Sequence, residues 1–156
     1  MSNEVWDRLE RPPVEERLKK ARVIRDKMGI YGKGGQGREG HYDVSPLHTQ
    51  GIYEWCFGMV WAEPTLDLKQ KEMIVLSTMV AQDLPDELEW HCKSAMNVGL
   101  TKEQIIATIV QCSPYVGLPK TNHAIKAAVR AFKEVDEAKG KAAKKLTKAK
   151  GKAKKA

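Results

Sequence analysis

In DELEWHCKSAMNVGL, residues 86–100, a histidine and a cysteine stand side by side within an apolar repeat. Leu88, His91, Cys92, Ala95 and Met96 fall at offsets 0, 3, 4, 7 and 8, the spacing of one helix face. His91 therefore belongs to an inward stripe. It is either a satisfied core histidine or a group that moves protons near neutral pH. Glu72 stands directly before MIVLSTMVA, the most apolar helical run in the chain. A carboxylate entering a buried segment needs a partner. If the two helices pack together, Glu72 and His91 meet as an acid and a base. The other reading of Glu72 is a first-turn residue facing water and favoured by the helix dipole. Cys92 reads as a small hydrophobe. A redox role for Cys92 or Cys112 is an alternative that thiol titration and a peroxide assay separate.

The elements that must position these residues are helices. VEERLKKARVIRDKM, residues 14–28, carries apolar positions at 14, 18, 21 and 24/28, with Pro12–Pro13 before it and Gly29 after it. IYGKGGQGREG follows as a connector. Gly32, Gly34 and Gly37 spell G-x-G-x-x-G, but a phosphate-binding turn needs a strand before it and a helix after it, and neither is expected here. Ser45 and Pro46 open a helix through LHTQGIYEWCFGMVWAE that stops at Pro64. Asp67 and Gln70 resemble a capping box before LKQKEMIVLSTMVAQ, whose core, MIVL then MVA, is apolar nearly all round, as a central helix is. Asp83 is expected to cap the next helix, with Pro85 in its first turn and Gly99 at its C′ position. Thr101 and Gln104 form a second capping box, and Pro119 opens the last helix. Nothing requires a strand, so the fold class is all-α.

A single domain of 156 residues can bury a real core. The N-terminal MSNEVWDRLERPP is charged from the start and carries no signal-peptide apolar region. WCFGMVWA is far shorter than the roughly 20 residues a bilayer span needs, so no membrane insertion is expected. Cys56, Cys92 and Cys112 lack CxxC spacing and paired histidines, which argues against a disulfide framework, a zinc site or any other metal. The expected compartment is a reducing cytoplasm. The net charge of +7 divides unevenly: nine of the 27 basic residues lie in the last 18 positions, leaving 18 against 20 acidic residues, a net of −2. The expected organisation is a helical domain over 1–138 and a lysine-rich tail over 139–156. Such a tail is a solvated, self-repelling extension, or else a non-specific contact to nucleic acid or another anionic partner. Nucleic acid is expected to bind only there, and without base stacking, because no aromatics interleave the lysines.

The ordered set of these features resembles the carboxymuconolactone decarboxylase family, within the alkylhydroperoxidase D-like superfamily. The carriers are Trp61 and Pro64, then Leu66–Asp67 and Lys71 before the apolar helix. They continue through ELEWH-x3-A-x3-G-x-T-x-E-x-I, Tyr115 to Pro119 as Y-x-G-x-P, and Asn122 with Ala124. The resemblance implies an oligomeric all-helical fold of about six helices, as trimers or hexamers. His91 matches the histidine shared by both branches of the superfamily, and Glu72 the glutamate that relays protons in its peroxidase branch. That branch needs cysteines four and seven residues before the histidine. Here these are Glu87 and Leu84, which excludes the thiol peroxidase reaction there. The decarboxylase branch often has arginines near positions 69–71; Lys69 and Lys71 stand here, point charges in place of a planar fork. The resemblance thus implies a cofactor-independent decarboxylase of a small anionic, carboxylated lactone in aromatic catabolism. Lys71 and Lys69 would hold carboxylates, His91 would donate the proton, Glu72 would orient it, and Trp61 and Tyr115 would wall the pocket. A non-enzymatic helical oligomer that uses its basic tail is the alternative.

Overall fold

The structure is a computed structural model that describes residues 11–29 and 45–153. Among those residues every regular element is a helix, as the periodicity requires. The glycine loop with its G-x-G-x-x-G lies outside the described residues. The chain divides into two compact units, Met1–Asp67 and Leu68–Ala156.

In the first unit, α1 (Val14–Met28) packs on a helical segment that begins as α2 (Pro46–Gln50) and continues as a π-helix, Gly51–Val60. The wider turn is closed by bonds such as Trp61 N–H to the Cys56 carbonyl, five residues back, at 2.8 Å. Sequence periodicity anticipates the helix here but not its π register. Gly58 is where α1 comes closest: a methyl group there would stand 2.6 Å from the Arg17 carbonyl oxygen. The buried stripe of α1 is Ala21, Arg25 and Met28, and Val14 is exposed. Arg25 takes an inward place because its guanidinium lies over the rings of Tyr53, at 4.0 Å, and Phe57, at 5.8 Å. Arg17 reaches Glu54 at 2.5 Å and the Pro12 carbonyl at 2.7 Å, a second tie to the π-helix. That contact holds the Glu54 carboxyl below its ordinary pKa, with Gln50 helping.

The second unit holds α3 (Leu68–Gln82), α4 (Pro85–Asn97), α5 (Lys102–Val116) and α6 (Leu118–Ala153). Its core is Leu76, Val80, Leu88, Cys92, Ala95, Leu100, Ile105 and Ile109 against Ala124, Ala127, Ala128 and Ala131. The α6 residues buried in this core are all alanine, which lets that helix lie close, with Ile125 and Phe132 packed at the edge of the cluster. Two corners of one type join α3 to α4 and α4 to α5. Leu84 N–H returns to the Met79 carbonyl and Asp83 N–H to Val80. Leu100 N–H returns to Ala95 and Gly99 N–H to Met96 in the same pattern. Gly99 fills the left-handed C′ position as expected, at φ 99°. At the first corner that position belongs to Asp83, at φ 58°. Asp83 therefore ends α3 instead of capping α4, whose N-cap is Leu84, with Pro85 in the first turn as expected. A short polar side chain tolerates this conformation, and His123 Nδ1 holds the Asp83 carboxylate at 2.9 Å. The Thr101–Gln104 capping box is formed on both sides. The last helix runs on through the expected tail boundary to Ala153. Residues 137–142 are exposed, and nothing lies within 4 Å of a methyl group placed on Gly140.

Candidate active site

α3 carries Glu72 one turn from its start, and α4 carries His91 and Ser94 three residues apart. The two-residue corner Asp83–Leu84 folds these helices against each other, so a residue early in α3 faces one late in α4. Glu72 is completely buried. Its Oε2 lies 3.0 Å from His91 Nδ1, and its Oε1 accepts a hydrogen bond from Ser94 Oγ, also completely buried. A buried carboxylate held by two donors is a satisfied group. It is also an orienting one: a carboxylate on Nδ1 makes that nitrogen the proton carrier. His91 keeps 19% of its side chain accessible, so a small molecule at the surface can reach the ring. The arrangement can take up and deliver a proton at one nitrogen while the other stays anchored.

Cys92 points into the core and is fully buried. Burial first, then the charges of Glu72 and Glu89, push its thiol up to about 12. It is therefore held as a thiol at neutral pH and is a poor nucleophile. Cys112 is half-buried, and its Sγ turns back to the Thr108 carbonyl at 3.4 Å. Among the described residues no three His, Cys, Asp or Glu side chains converge as a metal's donor set. No helix among them is long and apolar enough to cross a membrane.

The remaining candidates are placed less uniformly. Lys71, half-buried, is the immediate neighbour of Glu72. Lys69 is exposed and lays the end of its chain over the α4–α5 corner, where its Nζ would be 3.3 Å from a methyl on Gly99. Trp61 belongs to the first unit, where it is buried against Phe57 with ring centroids 6.0 Å apart. Tyr115, in the last turn of α5, is 81% exposed, so in one protomer it encloses no pocket. The clefts at Arg17–Trp55 and at Met73–Gln111 are lined by neither Glu72, His91 nor Ser94. Sequence reasoning passed over Ser94. Its signal was present: it follows His91 by three, the spacing at which two side chains on a helix reach one target.

The chain belongs to the carboxymuconolactone decarboxylase family, whose sequence model matches residues 46–130, and its all-helical fold is consistent with that. The chain is 28% identical over 121 residues to a 4-carboxymuconolactone decarboxylase of Acinetobacter baylyi, covering 78% of this chain and 90% of that one. It is 35% identical over 68 residues to a nitrosuccinic acid decarboxylase of Metarhizium robertsii, 44% of this chain and 48% of the relative. An uncharacterized 15.0 kDa protein of Paracoccus denitrificans is 30% identical over 105 residues, covering 62% and 78%. These matches support a decarboxylase-like protein.

Proposed function

We propose that this chain is a cytoplasmic, cofactor-independent decarboxylase of a small carboxylated lactone of the 4-carboxymuconolactone type, acting in aromatic catabolism. The observation that carries the reading is the buried Glu72 carboxylate on His91 Nδ1. In the reaction the C–C bond to the carboxylate breaks and carbon dioxide leaves. The bonding pair delocalises through the double bond into the lactone carbonyl, giving a dienolate. Protonated His91 then delivers a proton from Nε2 to carbon, Glu72 keeps hold of Nδ1, and water recharges the ring. The electrons never leave the substrate. Lys71, with Lys69 beside the α4–α5 corner, would hold the carboxylates as point charges. The substrates named for the two decarboxylase relatives share this chemistry, since a lactone carbonyl and a nitro group can each take up the electron pair. The test is carbon dioxide release from 4-carboxymuconolactone and from nitrosuccinate by the full-length protein. Release from the lactone supports the reading, release from nitrosuccinate alone reassigns the substrate, and release from neither removes it.

The active form is proposed to be a homo-oligomer, a trimer or hexamer. Trp55 and Val60 on the π-helix are exposed, and a groove of about 570 Å³ on α3 and α5 is lined by Met73, Ile74, Ala107 and five uncharged polar residues. Such apolar surface favours self-association. A second reading, contact with nucleic acid or another anionic partner through the lysine tail, is favoured by α6 running on past Gly140 with open space around it. Nucleic-acid binding by the full chain against one ending at Glu137 tests that reading.

A further inference from the structure

Hydroxyls in these helices have an ordinary habit. Ser77, Thr78, Thr108 and Thr121 each turn theirs back to the carbonyl four residues earlier, at 2.8, 2.9, 2.9 and 3.1 Å. Ser94 does otherwise: it crosses to α3 and gives its hydroxyl to Glu72 Oε1. Both groups are completely buried. The Glu72 carboxylate is therefore gripped at both oxygens from one turn of α4, by Ser94 at Oε1 and by His91 at Oε2.

This grip bears on His91. A carboxylate turns easily about its last carbon–carbon bond, whose torsion is broad and two-fold. With one donor it can pivot around that contact, whereas two donors fix its plane. Only a carboxylate held in plane keeps one oxygen aimed along the Nδ1–H bond, and that bond decides which ring nitrogen bears the proton in neutral imidazole. We infer that Ser94 is a positioning residue: it locks the Glu72 carboxylate so that His91 is held as the Nδ1–H tautomer, with Nε2 as the nitrogen that meets substrate. The consequence for turnover rests on the decarboxylase reading, but the tautomer does not.

The test uses the full-length protein and reads the His91 ring nitrogens by long-range proton–nitrogen correlation across a pH titration, in wild type, Ser94→Ala and Ser94→Cys. In wild type the neutral ring should carry its proton on Nδ1. In Ser94→Ala the nitrogen shifts should move toward a mixture with the Nε2–H form that imidazole favours in water. Ser94→Cys fills the site with a weaker donor and should fall between them; it also serves as the comparison if the alanine variant does not fold. Turnover of 4-carboxymuconolactone by Ser94→Ala should fall roughly 10–100-fold in kcat, by analogy with the outer-shell groups that orient metal-bound histidines, with KM little changed. Unchanged ring-nitrogen shifts in the folded variants overturn the inference, whatever the turnover. Shifts that move in a protein without lactone turnover leave Ser94 in its role and remove the decarboxylase reading instead.

Discussion

At the scale of single residues, polar groups inside the second unit are there because each has a partner. Glu72 is buried and accepts from His91 and Ser94. Replacing it with leucine would strand Ser94 Oγ and unanchor His91, and a lost buried charged partner costs about 1–3 kcal/mol or more. Cys92 has the opposite character. Its thiol is pushed up to about 12 by burial, so the unfolded chain ionises it first as pH rises. Its contribution to stability is thus full below about pH 8.5, the free-thiol value, and is lost as pH climbs toward 12. Denaturant titrations of wild type and Cys92→Ala between pH 7 and 10.5 should show wild type losing stability more steeply. Parallel curves would contradict that assignment. Cys92→Ala should also leave any decarboxylase activity nearly intact, whereas a redox role for this thiol requires its loss. The inward stripe that carries His91 was legible because its neighbours at 88, 92 and 95 are apolar and truly buried. Ser94 was harder to read, because a serine in a helix ordinarily bonds its own backbone and only its spacing of three from His91 marks it.

Elements were most readable where local chemistry alone sets an end. Gly29 and Gly99 occupy the left-handed positions that favour glycine, at φ 64° and 99°, and Thr101–Gln104 closes a reciprocal box. Asp83 misled because aspartate serves both as an N-cap and as a left-handed C′ residue, and tertiary packing makes the choice. The π-helix was not legible either: its apolar spacing also fits an ordinary α-helix, and no residue pattern announces i→i+5 bonds. Gly58 records that contact. Gly58→Ala should force α1 away from its seat and cost about 1–3 kcal/mol, as overpacking does, lowering Tm by several degrees. A Tm at or above wild type would show that α1 yields without cost. Gly99→Ala meets strain of about 1–3 kcal/mol from its positive φ and also presses on Lys69, so it should lower Tm, and, if Lys69 holds a substrate carboxylate as proposed, raise KM as well.

Across the whole molecule, the net charge separates a body of −2 from a tail with nine lysines. The helix continues into that tail, and residues 137–142 stand exposed. Deletion from Lys139 onward should leave Tm almost unchanged at moderate salt; a fall of many degrees would place the tail against a neighbour. Light scattering at micromolar concentration should return a multiple of 17.5 kDa, and a mass of one chain would remove the oligomer. His91, anchored by Glu72, is the residue proposed to move the proton. The measurement that tests it most directly is steady-state turnover of 4-carboxymuconolactone by wild type and His91→Ala at neutral pH. A proton transfer made only in the transition state predicts a fall in kcat of about 10²–10⁴-fold with KM nearly constant. Full turnover retained in His91→Ala would contradict it.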